Sequence, residues 1–173
     1  MDKRGVTSAR RKPLYTPEQR VRRDASGWTL VQGLLAPFQF LVFLISLGLV
    51  LRYLWTGEGE QAALLSIVVK TLTLYTIMVT GAIWEKVVFG KYLFAPAFFW
   101  EDAVSMIVIA LHTAYLWALW THALGVTELM VLALVAYATY VVNAAQFIWK
   151  LRMARLDAAT EPSFTAPAGA LAK

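Results

Sequence analysis

The stretch "WTLVQGLLAPFQFLVFLISLGLVLRYLW", residues 28 to 55, carries one charged side chain, Arg52, in 28 residues. A bilayer core about 30 Å thick is crossed by about 20 helical residues, so this run is long enough to span with a margin. Trp28 and Trp55 close its two ends, where indole rings favour the membrane–water interface. Arg52 is the one misfit, and its long stem is expected to snorkel to the nearby interface.

Three further runs follow the same pattern: Ala62 to Val88, Phe99 to Trp120, and Val126 to Trp149, with Trp84, Trp100, Trp120 and Trp149 near their ends. Backbone groups in lipid must be satisfied within the segment, which makes each run a helix. Short connections make successive helices antiparallel neighbours. The expected fold is all-α, an integral membrane bundle of four transmembrane helices. The composition agrees: 59% hydrophobic and 16% charged residues, with a mean hydropathy of +0.58, values foreign to a soluble domain. The 173 residues divide into a basic segment (1–27), the helical domain (28–155) and a small, polar, Pro-containing tail (156–173) expected to lack structure.

Lysine and arginine set the direction. Residues 1–27 hold eight of them (Lys3, Arg4, Arg10, Arg11, Lys12, Arg20, Arg22, Arg23), the connection "KVVFGKYLFAP" holds Lys86 and Lys91, and the C-terminal side holds Lys150, Arg152, Arg155 and Lys173. The connections "TGEGEQ" and "THALGVTE" hold none. The positive-inside rule then puts both termini in the cytoplasm. In the basic segment "TPEQRVRRD" reads as a short helix, with Thr16 as N-cap, Pro17 at its first position and Gln19 closing a capping box. Its arginines suit anionic headgroups. The formal charge of +5 is thus a membrane-surface feature, and nucleic acid is not an expected partner, because no aromatics interleave with the basic residues. The extended basic segment and the length of the first run argue against a secretory signal. The absence of cysteine excludes disulfides, thiolate nucleophiles and iron–sulfur ligation. Two histidines argue against a dedicated protein-ligated metal. "GEGEQA" (57–62) matches a dinucleotide-loop glycine pattern, but it follows a membrane helix and carries two acids where a pyrophosphate would lie.

The chemistry must come from polar side chains inside the bundle. Glu85, Glu101, Asp102, Asn143, Gln146 and Gln32 fall near the cytoplasmic leaflet, whereas Gln39, His112 and Lys70 lie deeper. At about 100° per residue, Glu101, Ser105, Val108, His112 and Tyr115 share one helical stripe. Thr71, Tyr75, Met78, Ala82 and Glu85 form a second. Tyr137, Tyr140, Ala144 and Phe147 form a third, flanked by Asn143 and Gln146. The cost of charge in lipid turns these stripes inward, into one polar pocket. Each residue also has an ordinary role. Acids in a first turn favour the helix dipole, Glu85 and Lys86 can form an interfacial pair, and Lys70 can snorkel or meet a carbonyl. Asn143 and Gln146 can join helices, and His112 can be a packing residue.

The blocks "GAIWEKVVFG" (81–90) and "FAPAFFWED" (94–102), with "WTLVQGLLAPFQFLVFLISL" and "AYATYVVNAAQFIWKLRMARL", closely resemble the 3-vinyl bacteriochlorophyllide hydratase family, called 2-vinyl in older nomenclature. The resemblance covers roughly residues 12 to 156. It implies a hydro-lyase that adds water to the C3-vinyl group of a chlorophyllide or bacteriochlorophyllide, giving a 1-hydroxyethyl group during bacteriochlorophyll synthesis. It implies no protein cofactor, since the substrate brings its own magnesium, and a place in the bacterial inner (intracytoplasmic) membrane. Lipids, other enzymes of the same synthesis and a second copy of the chain are the expected partners. Hydration protonates the terminal vinyl carbon, leaves a cation beside the ring and adds water to it. A carboxyl group buried beside another can hold its proton near neutrality. Glu85, Glu101 and Asp102 are therefore the expected catalytic groups, with Glu85 and Glu101 facing each other as the favoured pair. Trp100, Asn143 and Gln146 are expected to line the substrate, Lys86 and Lys91 to hold its propionate, and His112 to meet its magnesium axially or relay a proton. The rival expectation is a non-catalytic pigment carrier or assembly factor, which would not need several acids at one depth.

Overall fold

A computed structural model describes residues 14–160, and the side chains of 14–156. Lys3, Arg4, Arg10, Arg11, Lys12 and Lys173, together with residues 161–173 of the expected tail, lie outside the described residues. Those described form five helices: α1 (Pro17–Ala25), α2 (Gly27–Thr56), α3 (Glu60–Phe89), α4 (Phe99–Thr121) and α5 (Val126–Thr160). The last four are long and apolar enough to cross a membrane.

Local chemistry sets their ends. Thr16 Oγ1 accepts from the Gln19 amide at 3.3 Å and the Gln19 side chain accepts from the Thr16 amide at 2.9 Å, closing the capping box that starts α1. Ser26 ends α1 and caps α2, accepting from the Trp28 amide at 3.2 Å. α2 and α3 stop at Gly57 (φ 74°) and Gly90 (φ 82°), whose left-handed backbone glycine adopts without a Cβ clash. α5 runs well beyond Trp149, where its apolar stretch ends, and enters the segment expected to be an unstructured tail. Apolar periodicity marks only the membrane-length part of such a helix. Polar residues can carry it onward without leaving that signal.

The long helices form two antiparallel hairpins. α2 packs along α3 and α4 along α5, while the α2–α5 and α3–α4 seams are lighter and α1 lies against α3. The main core joins Phe43, Val50, Ile67, Leu74, Val108, Tyr115, Met130 and Tyr137 from all four long helices. The outward faces stay apolar, with Leu34, Leu41, Ile45, Val79, Trp117 and Val142 all exposed, as suits a lipid-facing surface. A second, aromatic cluster closes the end that holds the termini of the bundle. There Phe98 packs against Trp84, Phe89 and Phe147 at centroid separations of 5.7–5.8 Å, and Tyr15 stacks on Phe89 at 5.7 Å. Burial pushes the Tyr15 phenol above its usual range, against the opposing pull of Arg23. This aromatic floor positions the site.

Candidate active site

The connection from α3 to α4 turns back over the aromatic floor through Phe94, a non-glycine residue at φ 57°. The turn aims two backbone amides at acids. Asp102 Oδ2 accepts from the Phe94 amide at 2.7 Å, and Glu85 Oε2 is 3.4 Å from the Ala95 amide. Asp102 thus ties down the loop before its helix, not the free amides of the helix itself. Accepting from two successive backbone amides, the Glu85 and Asp102 carboxyls are held side by side. Two buried carboxyls held this close repel when both are ionised, an arrangement that favours keeping one proton on the pair.

Glu101 turns the other way, about 100° around α4, to face α5. Its Oε2 accepts from Lys150 Nζ at 2.5 Å, and Lys150 Nζ also sits 5.1 Å from the Phe98 ring centroid. Asn143 clamps the same turn, donating from Nδ2 to the Glu101 carbonyl at 2.9 Å and accepting from Ser105 Oγ at 3.1 Å. All three acids are buried, at 5% (Glu85), 7% (Glu101) and 2% (Asp102) relative exposure. The expected partnership of Glu85 with Glu101 is therefore corrected: Asp102 is the partner of Glu85, and Glu101 is ion-paired with Lys150. The reason lies in the loop. Its return over α3 puts the Asp102 side of the first turn of α4 against Glu85.

Beside Glu101 an open groove of about 550 Å³ is lined by Glu101, Val142, Ala145, Gln146 and Trp149. Gln146 Oε1 is buried without a hydrogen-bond partner among the described residues, so an acceptor waits there beside the acid. Asn143, read as flanking, is buried. Trp100 is 71% exposed and packs edge-on against Phe99 at 5.5 Å. Lys86 and Lys91 are exposed, and Lys86 Nζ donates to the Gly90 carbonyl at 3.0 Å. Arg52 pairs with Glu58 at 3.3 Å.

The single polar pocket expected from the stripes is resolved into two clusters. The second lies mid-bundle, around Lys70, His112, Tyr115, Tyr137 and Tyr140, eleven residues or about 16 Å along α4 from Glu101. Lys70 neither snorkels nor meets a carbonyl: it is fully buried with Nζ 3.9 Å from the Tyr140 ring centroid. Among the described residues no group of three His, Asp or Glu could hold a metal ion.

Lys150 is the residue that sequence reasoning missed. A signal was available, because Asn143, Gln146 or Phe147, and Lys150 follow one another at helical spacing on one face of α5. Removing its charge with Lys150→Met leaves Glu101 buried without a counter-ion. Lys150 is partly exposed, so the expected cost, discounted from that of a fully buried pair, is about 2 kcal/mol. Lys150→Arg should recover most of it, which equilibrium unfolding in mixed micelles will measure.

The family model for 2-vinyl bacteriochlorophyllide hydratase matches residues 15–153. A 2-vinyl bacteriochlorophyllide hydratase of Cereibacter sphaeroides is 74% identical over 147 residues, spanning 83% of this chain and 89% of the relative. One of Rhodobacter capsulatus is 68% identical over 155 residues, spanning 90% of each. No solved structure matches the chain significantly.

Proposed function

The chain belongs to the 2-vinyl bacteriochlorophyllide hydratase family and is a hydro-lyase of bacteriochlorophyll synthesis, and from that premise we propose that Glu85, Asp102 and Glu101 carry the hydration. The observation that supports this most is the contrast between their settings: two buried carboxyls held side by side on the Phe94 and Ala95 amides, next to a carboxylate held by Lys150. The pair delivers its proton to the terminal carbon of the vinyl group, and the positive charge left on the carbon beside the ring faces the Glu101 carboxylate. Glu101 takes a proton from the water whose oxygen bonds that carbon. Return of this proton to the Glu85–Asp102 pair resets the site, and the net change is the addition of one water. Each proton transfer by a placed group is worth about 10²- to 10⁴-fold.

The groove beside Glu101 receives the flat pigment, with Gln146 and Trp149 against it and Asn143 fixing the turn that carries Glu101. Trp100 covers the macrocycle from the loop side. Lys86 in the last turn of α3, one residue beyond Glu85, and Lys91 in the loop after it, both exposed, hold the propionate in this reading. No protein cofactor enters these steps. His112 lies too far along α4 to ligate the magnesium of a pigment whose vinyl group is at Glu101, so an axial role for it is not part of this reading. Methyl esterification of the propionate gives the experiment. Lys86→Gln and Lys91→Gln should weaken binding of the free acid severalfold and leave the ester unaffected. Equal loss for both substrates would remove the lysines from the site.

The four long helices span the inner membrane in this reading, with both termini and the Lys86–Lys91 connection cytoplasmic. Arg20, Arg22, Arg23, Lys150, Arg152 and Arg155 support it by gathering at that one end. A cysteine placed at Glu58 should react with an impermeant maleimide only from the outer face, and tags at the termini only from the inner one. Termini on opposite faces would contradict the four-span topology.

A further inference from the structure

The mid-bundle cluster holds none of the three carboxyl groups, yet it holds three buried polar atoms with no hydrogen-bond partner among the described residues: Lys70 Nζ, His112 Nε2 and the Tyr115 hydroxyl. Their side chains are 0%, 1% and 0% exposed. One such atom is unusual in a folded protein, and three on neighbouring turns of two packed helices call for a ligand. The surroundings connect them. The His112 ring is 6.0 Å from that of Tyr137, whose hydroxyl is 2.6 Å from Ser46 Oγ, itself 2.7 Å from Ser66 Oγ. Lys70 lies within electrostatic range of His112.

The hydrogen-bonding pattern selects the ligand. His112 Nδ1 is 2.8 Å from the Val108 carbonyl, which can only accept, so Nδ1 carries a hydrogen and Nε2 of the neutral ring offers a lone pair. Lys70 and Tyr115 offer hydrogens. An anion would suit Lys70 and Tyr115 but face the lone pair of His112. A metal cation would suit His112 but find no carboxylate in the cluster to balance its charge. A tetrapyrrole would have to part Val50, Tyr115 and Met130, all fully buried. Water donates and accepts, fits between packed side chains, and needs two to four polar partners.

We propose that Lys70, His112 and Tyr115 bind internal water, and that this water feeds the hydration at Glu101 when the pigment covers the groove. The second half rests on the carboxylate reading above. The route follows α5, where Tyr140 stands one turn from Asn143, and Asn143 bonds the Glu101 carbonyl and Ser105. A flat apolar substrate over the groove shuts the direct path from solvent and leaves this one.

Hydroxyl-radical footprinting by X-ray radiolysis reads bound water directly. The intact protein in lipid nanodiscs, without pigment and in ¹⁸O-water, should take up labelled oxygen at Tyr115, Tyr137 or His112 in yields comparable to exposed Tyr92. Labelling of Tyr92 with none in the cluster would overturn the water site. Tyr115→Phe gives the second reading. With water present, it should cut labelling of Tyr137 and His112 severalfold and lower kcat severalfold with pigment KM unchanged. In a dry cluster the same change deletes an unpartnered hydroxyl, raises the unfolding midpoint and leaves kcat alone. Labelling lost with kcat unchanged would overturn the delivery role and keep the site. Because labelling is read without pigment, it stands or falls independently of Glu101: a labelled cluster in a protein whose Glu101→Gln variant is fully active would sink the carboxylate reading alone.

Discussion

Glu101→Gln is expected to lower hydration per folded molecule by about 100-fold or more while leaving pigment binding within a few-fold of the parent. Gln keeps the shape of the side chain and can still accept a hydrogen bond from Lys150 at the position where Oε2 now lies. What it loses is the ability to take a proton from water and the negative charge facing the developing cation. Because the Lys150 partnership becomes neutral on one side, some stability should also be lost, so activity must be normalised to folded, pigment-binding protein. If the acid served only the helix dipole, the substitution would cost about 1 kcal/mol or less and turnover would survive.

Glu85→Gln and Asp102→Asn should each be comparably severe, for a different reason. In the proposed step the two carboxyls act through one proton, and an amide in either place can donate a hydrogen bond but cannot surrender a proton to carbon. Each single change should therefore reduce turnover by about 10²- to 10⁴-fold, and the double variant should be little worse than either. Independent roles would instead multiply the two losses. Asp102→Asn retains an acceptor for the Phe94 amide, so the loop should stay in place. Asp102→Ala removes it and should add a structural loss that the Asn variant does not show.

The four long helices were legible because each needs a continuous apolar run, and lipid leaves no competing backbone conformation. The short helix before them was legible in "TPEQ", where the capping pattern names its own hydrogen bonds. The acids were legible as a group, since Glu85, Glu101 and Asp102 fall at one depth. Their partnership was not. Helical phase separates Glu101 from Asp102, but which of them meets Glu85 depends on how residues 90–98 return over the aromatic floor, and Phe94 makes that turn in a left-handed conformation that phenylalanine rarely signals. Lys150 was read only as one of several cytoplasmic charges, because its link to Glu101 spans 49 positions. Lys70 was misread for a related reason. Burial of a lysine without a carboxylate contradicts the usual preference, and only the packing of Tyr140 beneath its Nζ shows how it is accommodated.

The most direct test follows a single turnover of a vinyl chlorophyllide in ¹⁸O-water by mass spectrometry, comparing the parent protein with the Glu85→Gln/Glu101→Gln double variant. The parent should yield the 1-hydroxyethyl product carrying ¹⁸O on the carbon beside the ring, and, in deuterated water, one solvent deuterium in the new methyl group. The double variant should bind the pigment and return it unchanged over the same interval. Labelled alcohol from the folded double variant at a rate near that of the parent would contradict the assignment of the hydration to these carboxyl groups.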